Sequence, residues 1–286
     1  MTSPGTPATP ATAPEWQLRG VKKVRVHHLR QAKAAGQRIT MLTAYDAVTG
    51  RLFDEAGIDM LLVGDSMGNT MLATPNTIPV TLDEMIVATR SVSRVAQRAM
   101  VVADLPFGSY EASPQQCHAS SVRLLKEAGA HAVKLEGGRH MTPQVRLLTS
   151  TGIPVVGHLG FTPQSENTLG GHRVQGRGDA AEEALLADAL ALQEAGVCSI
   201  VFEMVPQPVA TRVSAALEVP TIGIGAGPGC DGQVLVWVDM AGMGDWSPRF
   251  AKQFGHLGPL LRQAAEDYAA EVRDGTFPDD AHSFAS

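Results

Sequence analysis

The chain has 286 residues, 44% of them hydrophobic, and a formal net charge of -6. That acidic balance gives no electrostatic ground for a nucleic-acid or anionic-membrane partner, and no window approaches the roughly 20 consecutive apolar residues of a membrane span. Cys117, Cys198 and Cys230 lie far apart, which argues against a disulfide framework or a zinc site and suits reduced cytosolic thiols; the N-terminus also lacks a basic-then-apolar secretory pattern.

Residues 1–17 include "TSPGTPATPATAPE", rich in Pro, Thr and Ala. This composition predicts a disordered arm and leaves residues 18–286 as one domain. "VKKVRVHHLRQAKAAG" follows, basic enough to raise RNA binding, but such runs are usually solvated faces; the favoured reading is a helix leading into the domain. The chain then settles into an alternation. Strand-type runs are "ITMLTAYD", "MLLVGDS", "AMVVADLP", "AVKLEGG", "PVVGHLG", "SIVFEMVP", "PTIGIGAG" and "VLVWVDMAG". Between them "TLDEMIVATRSVSRVA", "SPQQCHASSVRLLKEAGA", "PQVRLLTSTG", "DAAEEALLADALALQEAGV" and "PVATRVSAALEV" repeat apolar residues at helical spacing. "EAGI", "EAGA" and "EAGV" place glycine where a helix ends. The helix after the seventh strand is weak, and "PLLRQAAEDYAAEVRDG" follows the eighth. Eight such units predict a (β/α)₈ TIM barrel, with a doubly wound open sheet as the alternative.

Polar residues gather at the C-terminal ends of the runs: Asp46, Asp65 with Ser66, Asp104, Lys134 with Glu136, His158 and Glu203. In a barrel those ends share one mouth, where active sites lie. Buried together they would be costly without a purpose. Each also has a plainer reading. Asp46, before "AVTGRLF", suits a helix N-cap at least as well as chemistry. Asp65 and Asp104 precede "SMGNTM" and "LPFGSY", neither of which opens a clear helix. Lys134 and Glu136 share one strand face and suit a mutual ion pair. His158 suits a satisfied core histidine. Glu203 is an acid in an otherwise apolar run, and such residues are rarely buried unpaired.

Asp65, Asp104 and Glu136 offer hard oxygens that suit Mg²⁺, which would act as a Lewis acid toward a small anionic substrate and stabilise an enolate. Lys134 suits developing negative charge, and Glu203 suits a general base or acid. "GIGAGPGCDGQ", from Gly223, is a weak glycine-rich match; it reads as close backbone packing, with a phosphate site as the alternative. "FTPQSENTLGGHRVQGRGD", from Phe161 to Asp179, is the longest polar loop, and with His172, Arg173 and Arg177 it reads as a lid.

"LTAYD", "VGDSMG", "ADLPFGSY", "VKLEGG", "GHLGFTPQS", "GGHRVQGRG", "FEMVP", "IGIGAGPGCDGQVLV" and "FPDDAHSF" together closely resemble the ketopantoate hydroxymethyltransferase family, in order from about Val21 to the C-terminus. The resemblance implies a barrel of the phosphoenolpyruvate/pyruvate superfamily. It implies transfer of a hydroxymethyl group from 5,10-methylenetetrahydrofolate to 3-methyl-2-oxobutanoate, giving 2-dehydropantoate, in the first step of pantothenate biosynthesis. By the same resemblance Asp65, Asp104 and Glu136 hold Mg²⁺. Asp65, Ser66, Asp104 and Lys134 contact substrate, His158 lines the pocket, Glu203 accepts the proton and Lys134 helps stabilise the enolate oxygen. It also implies a cytoplasmic homodecamer of two stacked pentamers. One stretch departs from the family pattern: Ala73, Thr74, Pro75 and Asn76 stand where a glycine, an aromatic or histidine, an acidic residue and a small hydroxyl residue are usual.

Rival readings are a phosphoenolpyruvate mutase or carbon–carbon lyase of the same superfamily, and a non-catalytic barrel. Lyases of that group carry a cysteine in a "KKCGH"-like loop, a setting that none of the three cysteines has.

Overall fold

In a computed structural model, which describes residues 16–171 and 173–284, each of the eight apolar runs supplies a strand. These are β1 (Ile39–Thr43), β2 (Met60–Val63), β3 (Met100–Asp104), β4 (Ala132–Glu136), β5 (Val155–Gly160), β6 (Ser199–Glu203), β7 (Thr221–Ile224) and β8 (Gly232–Leu235). Each pairs in parallel with the next, and β8 pairs with β1 to close the barrel, which removes the open-sheet alternative. Helix α1 (Val26–Ala34) precedes β1, and α2 (Ala47–Glu55) follows it. Then come α3 (Met67–Met71) and α4 (Leu82–Ser93) after β2, α5 (Pro114–Ala128) after β3 and α6 (Thr142–Ser150) after β4. Next are α7 (Glu166–Leu169) and α8 (Asp179–Ala195) after β5, α9 (Gln207–Ala216) after β6, and α10 (Trp237–Met240) and α11 (Leu257–Asp274) after β8.

The strands read as continuous apolar runs because helices cover one face and the barrel interior the other. Val63, Val101, Val133, Val155 and Ile200 pack outward against Met85, Leu124, Leu148 and Leu192. Met60, Leu62, Met100, Val102, Val156, Val201 and Ile222 fill the inside. The two-residue period carries the inward face of β3 from Met100 and Val102 to Asp104, that of β4 from Ala132 to Lys134 and Glu136, and that of β5 from Val156 to His158. Register sets Asp104 beside Lys134 and Glu136 beside His158. The glycines of "EAGA" and "EAGV" end α5 and α8 as left-handed caps, Gly129 at φ 76° and Gly196 at φ 101°.

At the opposite end of the barrel, Asp54 accepts from the N–H groups of Gln97, Arg98 and Ala99. Arg98 pairs with Asp59 at 2.6 Å, and Lys33 with Asp231 at 2.9 Å.

Several expectations change. "VLVWVDMAG" is not one strand: β8 runs only to Leu235, and Trp237 turns into α10, its N–H donating to Thr43 Oγ1 at 2.9 Å. No helix joins β7 to β8. The seven residues between them lie close against α9: a Cβ on Gly229 would lie 2.0 Å from Thr211 Oγ1, and one on Gly227 2.7 Å from Gln207 Cβ. "SMGNTM" does form a short helix, α3, but Asp65 does not cap it. Most of the expected arm, residues 1–15, lies outside the described residues; Trp16, at its end, stacks on His28 with ring centroids 6.3 Å apart. Helix α11 has no buried residue and exposes Leu257, Leu260, Leu261, Tyr268 and Val272.

Candidate active site

The C-terminal mouth of the barrel opens into a cavity of about 870 Å³ whose lining includes Asp65, Ser66, Asp104, Lys134, Glu136, His158 and Glu203. All the sequence-chosen mouth residues except Asp46 meet here. Asp46 caps α2, its Oδ1 accepting from Val48 N–H at 2.7 Å and Thr49 N–H at 2.9 Å, so the capping reading holds. Asp65, Asp104, Lys134, Glu136 and His158 are buried, each at most 5% exposed. Glu203 is more open, its side chain 17% exposed.

Lys134 and Glu136 do not pair with each other. Strand register offers each a partner across the sheet instead. Lys134 Nζ stands 3.1 Å from Asp104 Oδ1 and 3.4 Å from His158 Nδ1. His158 bridges two acids, with Nδ1 3.3 Å from Glu136 Oε1 and Nε2 3.3 Å from Glu203 Oε2. Neither Asp104 Oδ1 nor His158 Nε2 makes an aligned hydrogen bond, so the Lys134–Asp104 and His158–Glu203 contacts are charge pairs. Asp65 donates its N–H to Asp104 Oδ2 at 3.1 Å, and Ser66 Oγ meets the Tyr45 hydroxyl at 2.8 Å.

Within this inner cluster the carboxylates of Asp65, Asp104, Glu136 and Glu203 thus face one lysine and one histidine. Burial pushes the Asp65 carboxyl well above the usual range, and Asp104 and Glu136 push it further. Burial also raises Asp104, against the pull of Lys134. Lys134 is raised although burial opposes it, because Asp104, Glu136 and Asp65 surround it. Burial and Lys134 both press His158 down, but Glu136 and Glu203 outweigh them and raise it. Among the described residues, no three His, Cys, Asp or Glu side chains form a finished metal cage. The fit to a divalent ion rests on charge and donor type: a buried excess of carboxylate oxygens, with Asp65 and Asp104 held above their usual range by burial and by neighbouring acids, suits a hard cation such as Mg²⁺.

Sequence reading passed over two contributors, Gln164 and Tyr110. Gln164 Nε2 donates to Asp65 Oδ2 at 2.8 Å, and Gln164 N–H to Glu136 Oε2 at 3.0 Å. The Tyr110 hydroxyl donates to Gln164 Oε1 at 2.7 Å. Both lie in quoted motifs, "GFTPQS" and "ADLPFGSY", but a search for ionisable groups ignores a neutral amide. The outer cavity adds Trp246, Pro248, Arg249 and Phe250 from the segment before α11. In the loop read as a lid, Phe161, Pro163, Glu166 and Val174 line the cavity, and Gln175 N–H ties it to the Met204 carbonyl at 3.0 Å. Arg173 and Arg177 are exposed and outside the lining, and His172 lies outside the described residues. Two non-glycine residues at the mouth have left-handed backbones, Ala73 at φ 56° and Met204, next to Glu203, at φ 50°. Ala73 stands where the resemblance leads one to expect glycine. Pro75, Asn76 and Thr77, just beyond, line the cavity.

Comparison with known proteins bears on this geometry. The chain matches the family described as ketopantoate hydroxymethyltransferase over residues 23–280. It is 55% identical over 279 residues to a 3-methyl-2-oxobutanoate hydroxymethyltransferase of Nocardioides sp., covering 97% of this chain and 94% of that one. It is 58% identical over 263 residues to the protein of the same name from Mycolicibacterium paratuberculosis, covering 92% of each. Among solved structures it resembles phosphonopyruvate hydrolase in complex with oxalate and Mg²⁺, with a TM-score of 0.60 at 13% identity over 92% of each chain. It also resembles 2,3-dimethylmalate lyase, of the PEP mutase/isocitrate lyase superfamily, with a TM-score of 0.58 at 17% identity over 91% of this chain and 92% of that one. These structures share the fold of this chain, a (β/α)₈ TIM barrel.

Proposed function

The chain belongs to the ketopantoate hydroxymethyltransferase family, and we propose that it transfers a hydroxymethyl group from 5,10-methylenetetrahydrofolate to 3-methyl-2-oxobutanoate, giving 2-dehydropantoate in the first step of pantothenate biosynthesis. The observation that carries this reading is the single buried cluster of Asp65, Asp104, Lys134, Glu136 and His158, with Glu203 at its open side. Such a cluster suits proton removal next to a carbonyl. Cys117, Cys198 and Cys230 are buried outside the cavity lining, which weighs against the lyase reading.

In this mechanism Asp65, Asp104 and Glu136 would hold Mg²⁺, which when bound supplies a Lewis acid for the substrate's carboxylate and 2-oxo oxygens and stabilises the enolate. Lys134 adds a fixed positive charge where the enolate oxygen develops negative charge. Ser66 and Asp104 help orient the substrate. Glu203 takes the C3 proton as general base, and His158, 3.3 Å away, holds its carboxylate in place. The C3 carbon then bonds to the methylene carbon of the folate, both C–N bonds of that carbon break, water supplies the hydroxyl, and the two folate nitrogens take up the proton removed from C3 and the remaining proton of that water. At about 870 Å³ the cavity exceeds the needs of a five-carbon acid and leaves its outer part for the larger co-substrate.

The same reading makes the enzyme a cytoplasmic homodecamer of two pentamers that acts on small molecules, with neither nucleic acid nor membrane as partner. The unburied apolar side of α11 supports association with further copies. No described helix is long and apolar enough to cross a membrane.

Solvent deuterium exchange at C3 of 3-methyl-2-oxobutanoate, followed by proton NMR with Mg²⁺ and with EDTA, tests the chemistry. Metal-dependent exchange, then 2-dehydropantoate by mass once the folate is added, is the expected result. Folded, metal-loaded protein that exchanges nothing would overturn the proposal.

A further inference from the structure

Gln164 is 5% exposed, in the 3-10 turn that follows β5. Every hydrogen-bonding group of its side chain is engaged. Nε2 donates to Asp65 Oδ2 at 2.8 Å and to the Leu105 carbonyl at 2.9 Å, while Oε1 accepts from the Tyr110 hydroxyl at 2.7 Å. The amide orientation is forced, because a carboxylate and a carbonyl both demand a donor and a flipped amide would turn its oxygen toward them. The backbone N–H of the same residue donates to Glu136 Oε2 at 3.0 Å. One residue thus fixes one oxygen of each of two acids, one just beyond β2 and one at the end of β4, strands that are not neighbours. The third acid, Asp104, has Oδ2 fixed by the Asp65 N–H at 3.1 Å.

Each metal-side carboxylate therefore has one oxygen held by a neutral N–H donor of the fold, while Glu136 Oε1 also faces His158 and Asp104 Oδ1 also faces Lys134. Without these donors Asp65 would have no side-chain partner to hold it against Glu136, and like charges in a buried site repel strongly. A lysine or arginine at position 164 would also hold them, but it would neutralise the site and compete with a cation. A neutral amide orients both acids and leaves their negative charge available.

We propose that Gln164, itself oriented by Tyr110, is a positioning residue that presents the carboxylates of Asp65 and Glu136 to a divalent cation. The inference rests on the metal reading given above. Groups of this kind behind metal ligands typically contribute about 10–100-fold in affinity.

The test is calorimetric titration of MgCl₂ into metal-stripped full-length protein, well below its thermal midpoint, for wild type, Gln164→Met and Tyr110→Phe. Gln164→Met keeps the side-chain length and the backbone N–H but loses both donors and the acceptor. We expect it to bind Mg²⁺ about 10–100-fold more weakly and to recover C3 exchange as Mg²⁺ is raised. Tyr110→Phe, which leaves every carboxylate in place, should weaken binding in the same direction by a smaller factor. A purely structural Gln164 would lower the metal-free thermal midpoint and leave Mg²⁺ affinity unchanged. Wild-type affinity in folded Gln164→Met overturns the inference, as does wild-type affinity in Tyr110→Phe should the first variant fail to fold. If wild-type protein itself takes up no Mg²⁺, the metal reading falls and this inference falls with it.

Discussion

At the N-terminal end of the barrel, Asp54 accepts hydrogen bonds from three successive backbone N–H groups, and Asp59 meets both Arg98 and the Thr40 N–H and hydroxyl. At the C-terminal end, Asp104 has one lysine at 3.1 Å, Asp65 leans on a neutral amide, and one histidine serves two acids. The same strands carry both ends. One end matches each charge to enough donors and so contributes stability; the other keeps a surplus of negative charge, which is destabilising until something positive arrives.

Substitutions at the two ends should separate rate from stability. Asp104→Ala should cut metal-dependent C3 exchange by about a thousandfold or more while the protein still unfolds cooperatively; near-normal exchange would mean the mouth is not a metal site. Glu203→Gln should slow exchange by roughly 10²–10⁴-fold and weaken substrate binding much less, as measured by NMR exchange beside calorimetry. A pure binding defect would remove Glu203 from the proton transfer. Asp54→Ala should show the opposite pattern: urea unfolding should report a loss of about 3–5 kcal/mol, with exchange per folded molecule unchanged.

Acid should also divide the two ends. Burial, reinforced by Lys23 and Arg25, pushes His131 down to about 4, and its Nδ1 accepts from Val101 N–H at 2.9 Å, which only the neutral ring can do. The unfolded chain protonates this ring near about 6.5, whereas the folded chain resists until about 4. This contribution is therefore complete above the unfolded value and is lost as pH falls toward the folded one. Partial exposure reduces it to about 1–2 kcal/mol. Denaturation of His131→Gln across that window should show a flatter acid limb, and an unchanged limb would refute the assignment. The mouth shifts the other way. Asp65 is raised in the fold, so the folded chain takes up that proton first and its repulsion is relieved on acidification. The smallest effect expected is at Ala73, whose φ of 56° is strained for an L-residue. Ala73→Gly should stabilise by about 0.5 kcal/mol, read from the thermal midpoint.

Much of this contrast was visible in the sequence, for a physical reason. Strands buried on both faces must be apolar throughout, so a charge at the end of such a run stands out, as Asp104, Lys134 and Glu203 do. What sequence could not supply was the partner. Spacing along β4 suggested Lys134 with Glu136, but the partners come from neighbouring strands, and inter-strand register is not written in one strand. Gln164 escaped because it is neutral and its role lies wholly in its hydrogen bonds. Helix α2 showed only at its ends, in the Asp46 cap and the glycine of "EAGI", because it is short, contains Gly50, and turns Val48 and Leu52 outward. The β8 boundary escaped because "VLVWVDM" is equally apolar on either side of the turn.

The helix-free link between β7 and β8 bears on how this chain can vary. A Cβ at Gly229 would fall 2.0 Å from the Thr211 hydroxyl, and one at Gly227 2.7 Å from Gln207 Cβ. In a library randomised at every position, this stretch should tolerate fewer replacements than most of the ionisable mouth, although its glycines have no chemical group to lose. A survey of tolerated replacements would score these glycines as highly as the acids. It would thus report a lack of room between β7 and α9 in the same terms as it reports a reaction.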